Sequence, residues 1–137
     1  MEYIVNRYLS NEEKYIREEV FVKEQGFEEE FDSLEESSYH LLISLDNKII
    51  GCSRFYEIEP NIYKIGRIAI LKEYRKKNLG TKMLEYAFNY LKSLNCHTLI
   101  VHSQLQAKEF YSKLGFKEHG DIFYEENHPH IEMIKKL

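Results

Sequence analysis

The chain has 137 residues, 43% of them hydrophobic and 31% charged, with a net charge of −4 and eleven Tyr and eight Phe but no Trp. That composition excludes a disordered tail or a fibrous repeat, and the acidic balance argues against a sequence-independent grip on nucleic acid. No stretch approaches the roughly 18 consecutive apolar residues of a membrane span, and no signal-peptide pattern precedes the first strand.

The two cysteines, Cys52 and Cys96, have neither metal-ligand spacing nor a disulfide framework, so a cytoplasmic protein with two free thiols is expected. With no repeat, low-complexity tract or linker, a single domain over 1–137 is expected.

Tyr3 to Leu9 alternates as a strand. Ser10 then stands three residues before Glu13, the pattern of a capping box, and opens a helix that carries Ile16 and Val20 one turn apart and runs to about Gln25. Residues 26 to 38 are acidic (Glu28-Glu29-Glu30, Asp32, Glu35-Glu36) and predict a loop with a short helix. They are a solvated face or an attraction for a cationic partner. His40 to Ser44 and Ile49 to Tyr56 flank the hairpin turn Asp46-Asn47, and Tyr63 to Leu71 follows the Pro60-Asn61 turn with Gly66 as a bulge candidate.

The period then changes. Leu79, Met83, Leu84, Ala87, Phe88, Leu91 and Leu94 form the apolar stripe of an amphipathic helix that stops at Asn95. Thr98 to Val101 is a short buried strand. Ala107, Phe110, Tyr111 and Leu114 mark another helix, ended by Gly115, and two closing strands lie after Phe116 and at Ile131 to Ile134. The order β-α-β-β-β-α-β-α-β-β predicts a mixed sheet with helices on both faces, an α/β (α+β) architecture.

Chemistry concentrates where the Ile68-Ala69-Ile70 strand runs through the basic turn Arg75-Lys76-Lys77-Asn78 into the helix at Leu79-Gly80-Thr81. First-turn N–H groups and the positive helix pole suit a pyrophosphate, Gly80 permits close backbone approach, and Asn78 tolerates positive φ. Arg75, Lys76 and Lys77 would add charge-assisted contacts, although a basic turn before a helix also serves solubility alone.

Arg75-Lys76-Lys77-Asn78-Leu79-Gly80 resembles the Arg/Gln-x-x-Gly-x-Gly/Ala signature of the GCN5-related N-acetyltransferases (GNAT), departing from it at Asn78, where a glycine is usual. Ala107 to Phe116 resembles the same family's Phe-Tyr-x-x-Leu-Gly-Phe helix. Val20 to Gln25, His40-Leu41-Leu42, His102-Ser103-Gln104 and Pro129 to Met133 resemble its ElaA-like subgroup.

The resemblance implies a mostly antiparallel sheet of six to seven strands whose central parallel pair splays. It implies acetyl-CoA as cosubstrate, a small-molecule or peptide amine as acceptor, no metal, and a possible homodimer. Carried over, the pyrophosphate rests on amides of Lys76 to Thr81, the pantetheine arm pairs with Ile68, Ala69 and Ile70, and Gln104 touches that arm. Tyr111, on a core-like stripe by spacing, becomes the candidate acid for the departing thiolate. Glu24, His102 and His130 are candidate bases, and Arg67 a candidate orienting group. Some relatives carry a glutamate at the position of Leu99. Its absence speaks against protein N-termini as acceptors. The competing expectation is a non-catalytic acyl-CoA-binding module. His128-Pro129-His130 falls short of a zinc pattern.

Overall fold

The computed structural model describes residues 1–28 and 31–137, so Glu29 and Glu30 of the acidic run lie outside the described residues. Seven strands form one sheet: β1 (Glu2–Asn6), β2 (Tyr39–Leu45), β3 (Lys48–Glu59), β4 (Ile62–Ile70), β5 (Thr98–Gln104), β6 (Lys117–Glu125) and β7 (His128–Lys136), in the order β1-β2-β3-β4-β5-β7-β6. Among the described residues, only β4 and β5 run parallel. The helices are α1 (Asn11–Arg17), continued by π-helical turns over Glu18–Glu24, α2 (Leu79–Ser93) and α3 (Lys108–Lys113). Among the described residues, no helix is long and apolar enough to cross a membrane.

Alternation along the strands supplies two cores, one on each face. Leu41, Ile43, Phe55, Ile65, Leu99 and Met133 meet the α2 stripe of Met83, Leu84, Ala87 and Leu91, all essentially excluded from solvent. Leu42, Cys52, Ala69 and Leu71 face the other way, against Ile16, Val20 and Phe21. The hairpin turns read as anticipated. Asp46 and Asn47 both have positive φ (51° and 64°), the mirror-image turn that suits strand twist. Glu126 and Asn127 do the same between β6 and β7 (46° and 67°) and extend the last strand back to His128.

Three local expectations are corrected. The first strand stops at Asn6, short of Leu9. Ser10 Oγ accepts from the Glu13 N–H at 3.2 Å, but the Glu13 side chain does not return to close the box. It is drawn inward to Arg17 (2.8 Å) and to His40 Nδ1 (2.9 Å). The positive φ of the β4 bulge falls on Arg67 (48°) and not on Gly66. The pairs Arg54↔Gly66 and Cys52↔Ala69 leave one extra residue on β4, which bends the strand.

That bend positions the site. β4 pairs with β5 from Ile62↔Thr98 to Ile65↔Val101, and among the described residues the pairing stops there. β4 nevertheless runs on to Ile70 and β5 to Gln104, so the sheet opens between them.

Candidate active site

The opening between β4 and β5 is the mouth of a cleft of ≈ 730 Å³. Its walls come from the end of the first helix and the segment after it (Phe21, Gln25, Asp32), from β3–β4 (Tyr56, Lys64, Gly66 to Ile68), from β5 (His102, Gln104), from Tyr111 on α3, and from Glu125, Glu126 and His130 of the last hairpin.

Arg75 is the last residue of the turn before α2 to line the cleft; Lys76 to Thr81, with the N-terminus of α2, follow it outside the lining. Asn78 occupies the left-handed region (φ 60°, ψ 16°) and makes no side-chain cap bond. The residue that replaces the usual glycine thus takes the conformation that glycine supplies. Lys76 takes it too, at φ 63°, which the residue pattern did not signal. The first intrahelical bond is Lys82 N–H to the Asn78 carbonyl at 3.0 Å, so the N–H groups of Leu79, Gly80 and Thr81 precede the helical ladder and point out of its positive end. Lys76, Lys77 and Asn78 are exposed, whereas the Leu79 and Ala69 side chains are buried in the two cores and present only backbone. A methyl built on Gly80 would meet Phe110 Cζ at 3.6 Å, ordinary contact, so the protein itself does not demand glycine there.

Arg75 lines the cleft with its fork already engaged. Nε donates to the Ile70 carbonyl (2.8 Å), and both terminal nitrogens reach the Glu24 carboxylate (2.7 and 2.9 Å). This clamp fastens the end of β4 to the first helix. It also holds the Glu24 carboxyl below the usual range, and Glu24 does not line the cleft. A carboxylate shared with a guanidinium has little appetite for another proton.

Tyr111 is 8% exposed, wedged edge-on between Phe110 and Phe116 (ring centroids 5.2 and 5.6 Å), with its side chain at the cleft. Burial pushes its hydroxyl pKa far up, so the phenol keeps its proton throughout the physiological range. Gln104 also lines the cleft. Its amide donates to Gln25 Oε1 at 2.8 Å and its oxygen accepts from Gln106, which ties β5 to the end of the first helix.

His130 is buried, and its Nδ1 lies 2.8 Å from the His128 carbonyl. A carbonyl only accepts, so Nδ1 carries the proton and a neutral ring keeps its lone pair on Nε2. Nε2 faces Glu125 Oε2 at 3.8 Å. Glu125 in turn lies 3.6 Å from His102 Nδ1, a buried nitrogen with no hydrogen-bond partner. Beyond it, His102 Nε2 donates to Glu132 Oε1 (3.2 Å), whose other oxygen accepts from exposed His119 (2.7 Å). Histidines and carboxylates thus alternate from the cleft to the surface. The neighbouring His102 ring, 3.6 Å away, holds the Glu125 carboxyl low, and although burial pushes Glu132 up, His119 and His102 outweigh it and hold that carboxyl low as well.

Sequence reasoning missed Glu125, Glu132 and Lys64, because their partners lie on other strands. Period-2 alternation around the Glu126-Asn127 turn was the available signal.

The acidic segment also has an internal role. Arg54 is gripped by Asp32 (2.7 and 2.9 Å) and Glu35 (2.9 Å), and fully buried Arg17 sits between Glu13 (2.8 Å) and Glu35 (2.6 Å). Donor atoms of Glu13, Glu35 and His40 lie within 4.8 Å of one another, but guanidinium and imidazole protons fill that space.

The family model of the acetyltransferase (GNAT) domain matches residues 7–137. The chain is 33% identical over 124 residues to the uncharacterised N-acetyltransferase YjcF of Bacillus subtilis, covering 88% of each chain. The crystal structure of Escherichia coli ElaA superposes with a TM-score of 0.85 at 20% identity over 98% of both chains. A GNAT acetyltransferase of Elizabethkingia anophelis, solved with acetyl-CoA bound, superposes with a TM-score of 0.76 at 17% identity over 98% of both. An opened β4–β5 pair, a left-handed residue before an uncapped α2 and a match along nearly the whole length converge on one conclusion: this chain belongs to the GNAT acetyltransferase family, enzymes that transfer an acyl group from acyl-CoA to nitrogen.

Proposed function

We propose that the protein moves an acetyl group from acetyl-CoA to a primary amine by direct attack, within one folded domain over 1–137. The observation that carries this reading is the parting of β4 from β5 at Ile65↔Val101, with Arg75 and Tyr111 lining the opening and the α2 amides following Arg75 in the chain. An acetyl-CoA complex in a relative of the same fold supports the choice of donor.

The amides of Leu79 to Thr81, with Lys76 and Lys77, hold the pyrophosphate. The open edge of β4 at Ile68, Ala69 and Ile70 pairs with the pantetheine amides as an added strand would. Gln104 lines the cleft, and in this reading its amide pairs with that arm.

The acceptor must lose a proton to attack. At pH 7 an amine of pKa near 10.4 is neutral in only about one part in 2,500, equivalent to roughly 4.6 kcal/mol. His130 Nε2 takes that proton, and Glu125 stabilises the imidazolium that results. Glu24 positions β4 through Arg75. As the C–S bond breaks, Tyr111 gives its hydroxyl proton to the leaving thiolate and regains one from solvent. Burial keeps this phenol protonated, so its proton is in place when the thiolate forms.

Thermal unfolding tests the donor first. Acetyl-CoA or coenzyme A at a hundred times its dissociation constant should stabilise by about 2.7 kcal/mol, on the order of ten degrees, with ATP and NAD at the same concentration inert. Thiol release with an amine panel should fall by about 10²-fold or more in Tyr111→Phe, while the acetyl-CoA shift survives. Equal shifts with ATP would sink the donor assignment. A shift without thiol release from any amine would leave a binding module.

A further inference from the structure

Charges around the cleft do not cancel locally. Arg75 is answered by Glu24, and Arg54 by Asp32 and Glu35. Arg67, presented by the β4 bulge, leans on the same Asp32 at 3.3 Å, so one carboxylate serves two guanidiniums. Lys64 has no such answer. It lies half-buried in the cleft wall, and no carboxylate of the described residues comes within ion-pair distance of its ammonium. Burial lowers its pKa and the field of Arg54 and Arg67 pushes the same way, against a raising influence from Glu125 and Glu132. Tyr56 pairs with it across β3–β4 and brings a hydroxyl to the same wall. Glu125 and Glu126 of the β6–β7 turn line the same cleft, with His130.

Burying an ammonium without a counterion is unfavourable, and a ligand that displaced the remaining water over Lys64 would add to that cost unless it brought an anion. Lys64 on one hand and Glu125 with His130 on the other therefore ask for opposite charges on one small molecule. We infer that the acceptor is a primary amine bearing its own anionic group, a carboxylate or a phosphate, with the anion received by Lys64 and Arg67 and the amine held toward Glu125 and His130. The inference rests on the acetyltransferase reading for its amine end. Its anion end stands on Lys64 alone.

Matched pairs that differ only in the anion test this, with the protein saturated in coenzyme A. Glucosamine 6-phosphate against glucosamine is the phosphate arm, and 4-aminobutanoate against 4-aminobutanamide the carboxylate arm. Calorimetric titration should show the anionic member of at least one pair binding about tenfold or more tightly, and the arm that responds identifies the group. Lys64→Met should bring that ratio close to one without changing the affinity for acetyl-CoA, and Lys64→Arg should retain most of it. Equal binding within both pairs overturns the inference. So does a preference that survives in a folded Lys64→Met protein, or mass-spectrometric detection of acetyl transfer onto Lys64 itself. Discrimination in binding without thiol release leaves the anion subsite standing and removes the transferase reading. Equal turnover of charged and neutral amines does the reverse.

Discussion

Gly80 has room for a side chain that it does not carry. The nearest atom to a methyl placed there is Phe110 Cζ at 3.6 Å, and its φ is not in the left-handed region, so neither packing nor backbone strain requires glycine. The proposed acetyl-CoA site supplies a different reason, close approach of a ligand to the backbone. Gly80→Ala should therefore unfold within about a degree or two of the wild type, yet bind acetyl-CoA at least about tenfold more weakly. Titration of the thermal shift checks both halves, and unimpaired binding would move the pyrophosphate away from this turn. At the same scale, the left-handed Asn78 was legible because Asn tolerates that conformation. Lys76 at φ 63° was not, because nothing in a lysine side chain announces it.

At the scale of elements, the sheet's opening depends on how β3 and β4 lie against each other. A methyl on Gly51 would stand 2.5 Å from Ile70 Cδ1, 2.7 Å from Ile43 Cγ2 and 3.0 Å from the Ala69 carbonyl oxygen. Side chains on both neighbouring strands and the β4 backbone would have to move. Gly51→Ala should thus lower stability by about 1–3 kcal/mol, read from the urea midpoint, and weaken acetyl-CoA binding because Ala69 and Ile70 belong to the displaced strand. An unchanged midpoint would mean that β4 relaxes freely. The two amphipathic helices and the hairpins were legible from periodicity and turn residues. The β4 bulge was legible only as a glycine in a strand. Which residue took the positive φ depended on the pairing with β3.

Across the whole molecule, one buried polar network ties the first helix to β2, β3 and the segment before them, and its charge states make stability depend on pH. His40 offers Nδ1 to Glu13 and Nε2 to the Glu35 carbonyl. Both partners accept, so the ring is doubly protonated. Burial opposes this charge, but the Glu13 carboxylate and the Glu35 carbonyl outweigh it and raise the pKa. His40 therefore contributes in full below its unfolded value of about 6.5, and the contribution is lost as pH rises through the raised folded value. Asp32 is held low by Arg54. Glu35 is held low because Arg17 and Arg54 overcome its burial. Their contributions are present above about pH 4 and are lost as pH falls through the lowered folded values. Unfolding free energy should be greatest between about pH 4.5 and 6.5 and decline above it. His40→Gln should flatten the decline on the alkaline side while leaving the acid limb intact. A wild-type protein equally stable at about pH 6 and pH 9 would show that His40 is neutral when folded.

The residue order by itself determined the succession of strands and helices, the amphipathic stripe of α2, the hairpin turns and the place where a helix N-terminus meets a strand end. Each of these is a short-range consequence of side-chain period, φ preference or capping, and neighbours in sequence are enough to express it. Tertiary structure decided what long-range pairing decides. Glu24 is taken up by Arg75, 51 residues away. The Glu13 side chain leaves its capping box for His40, 27 residues on. His130, Glu125 and His102 converge from three strands, and among the described residues no carboxylate comes within ion-pair distance of Lys64. Those outcomes turn on register and on single-residue bulges. A shift of one residue there sends every following side chain to the other face, and no local pattern records it.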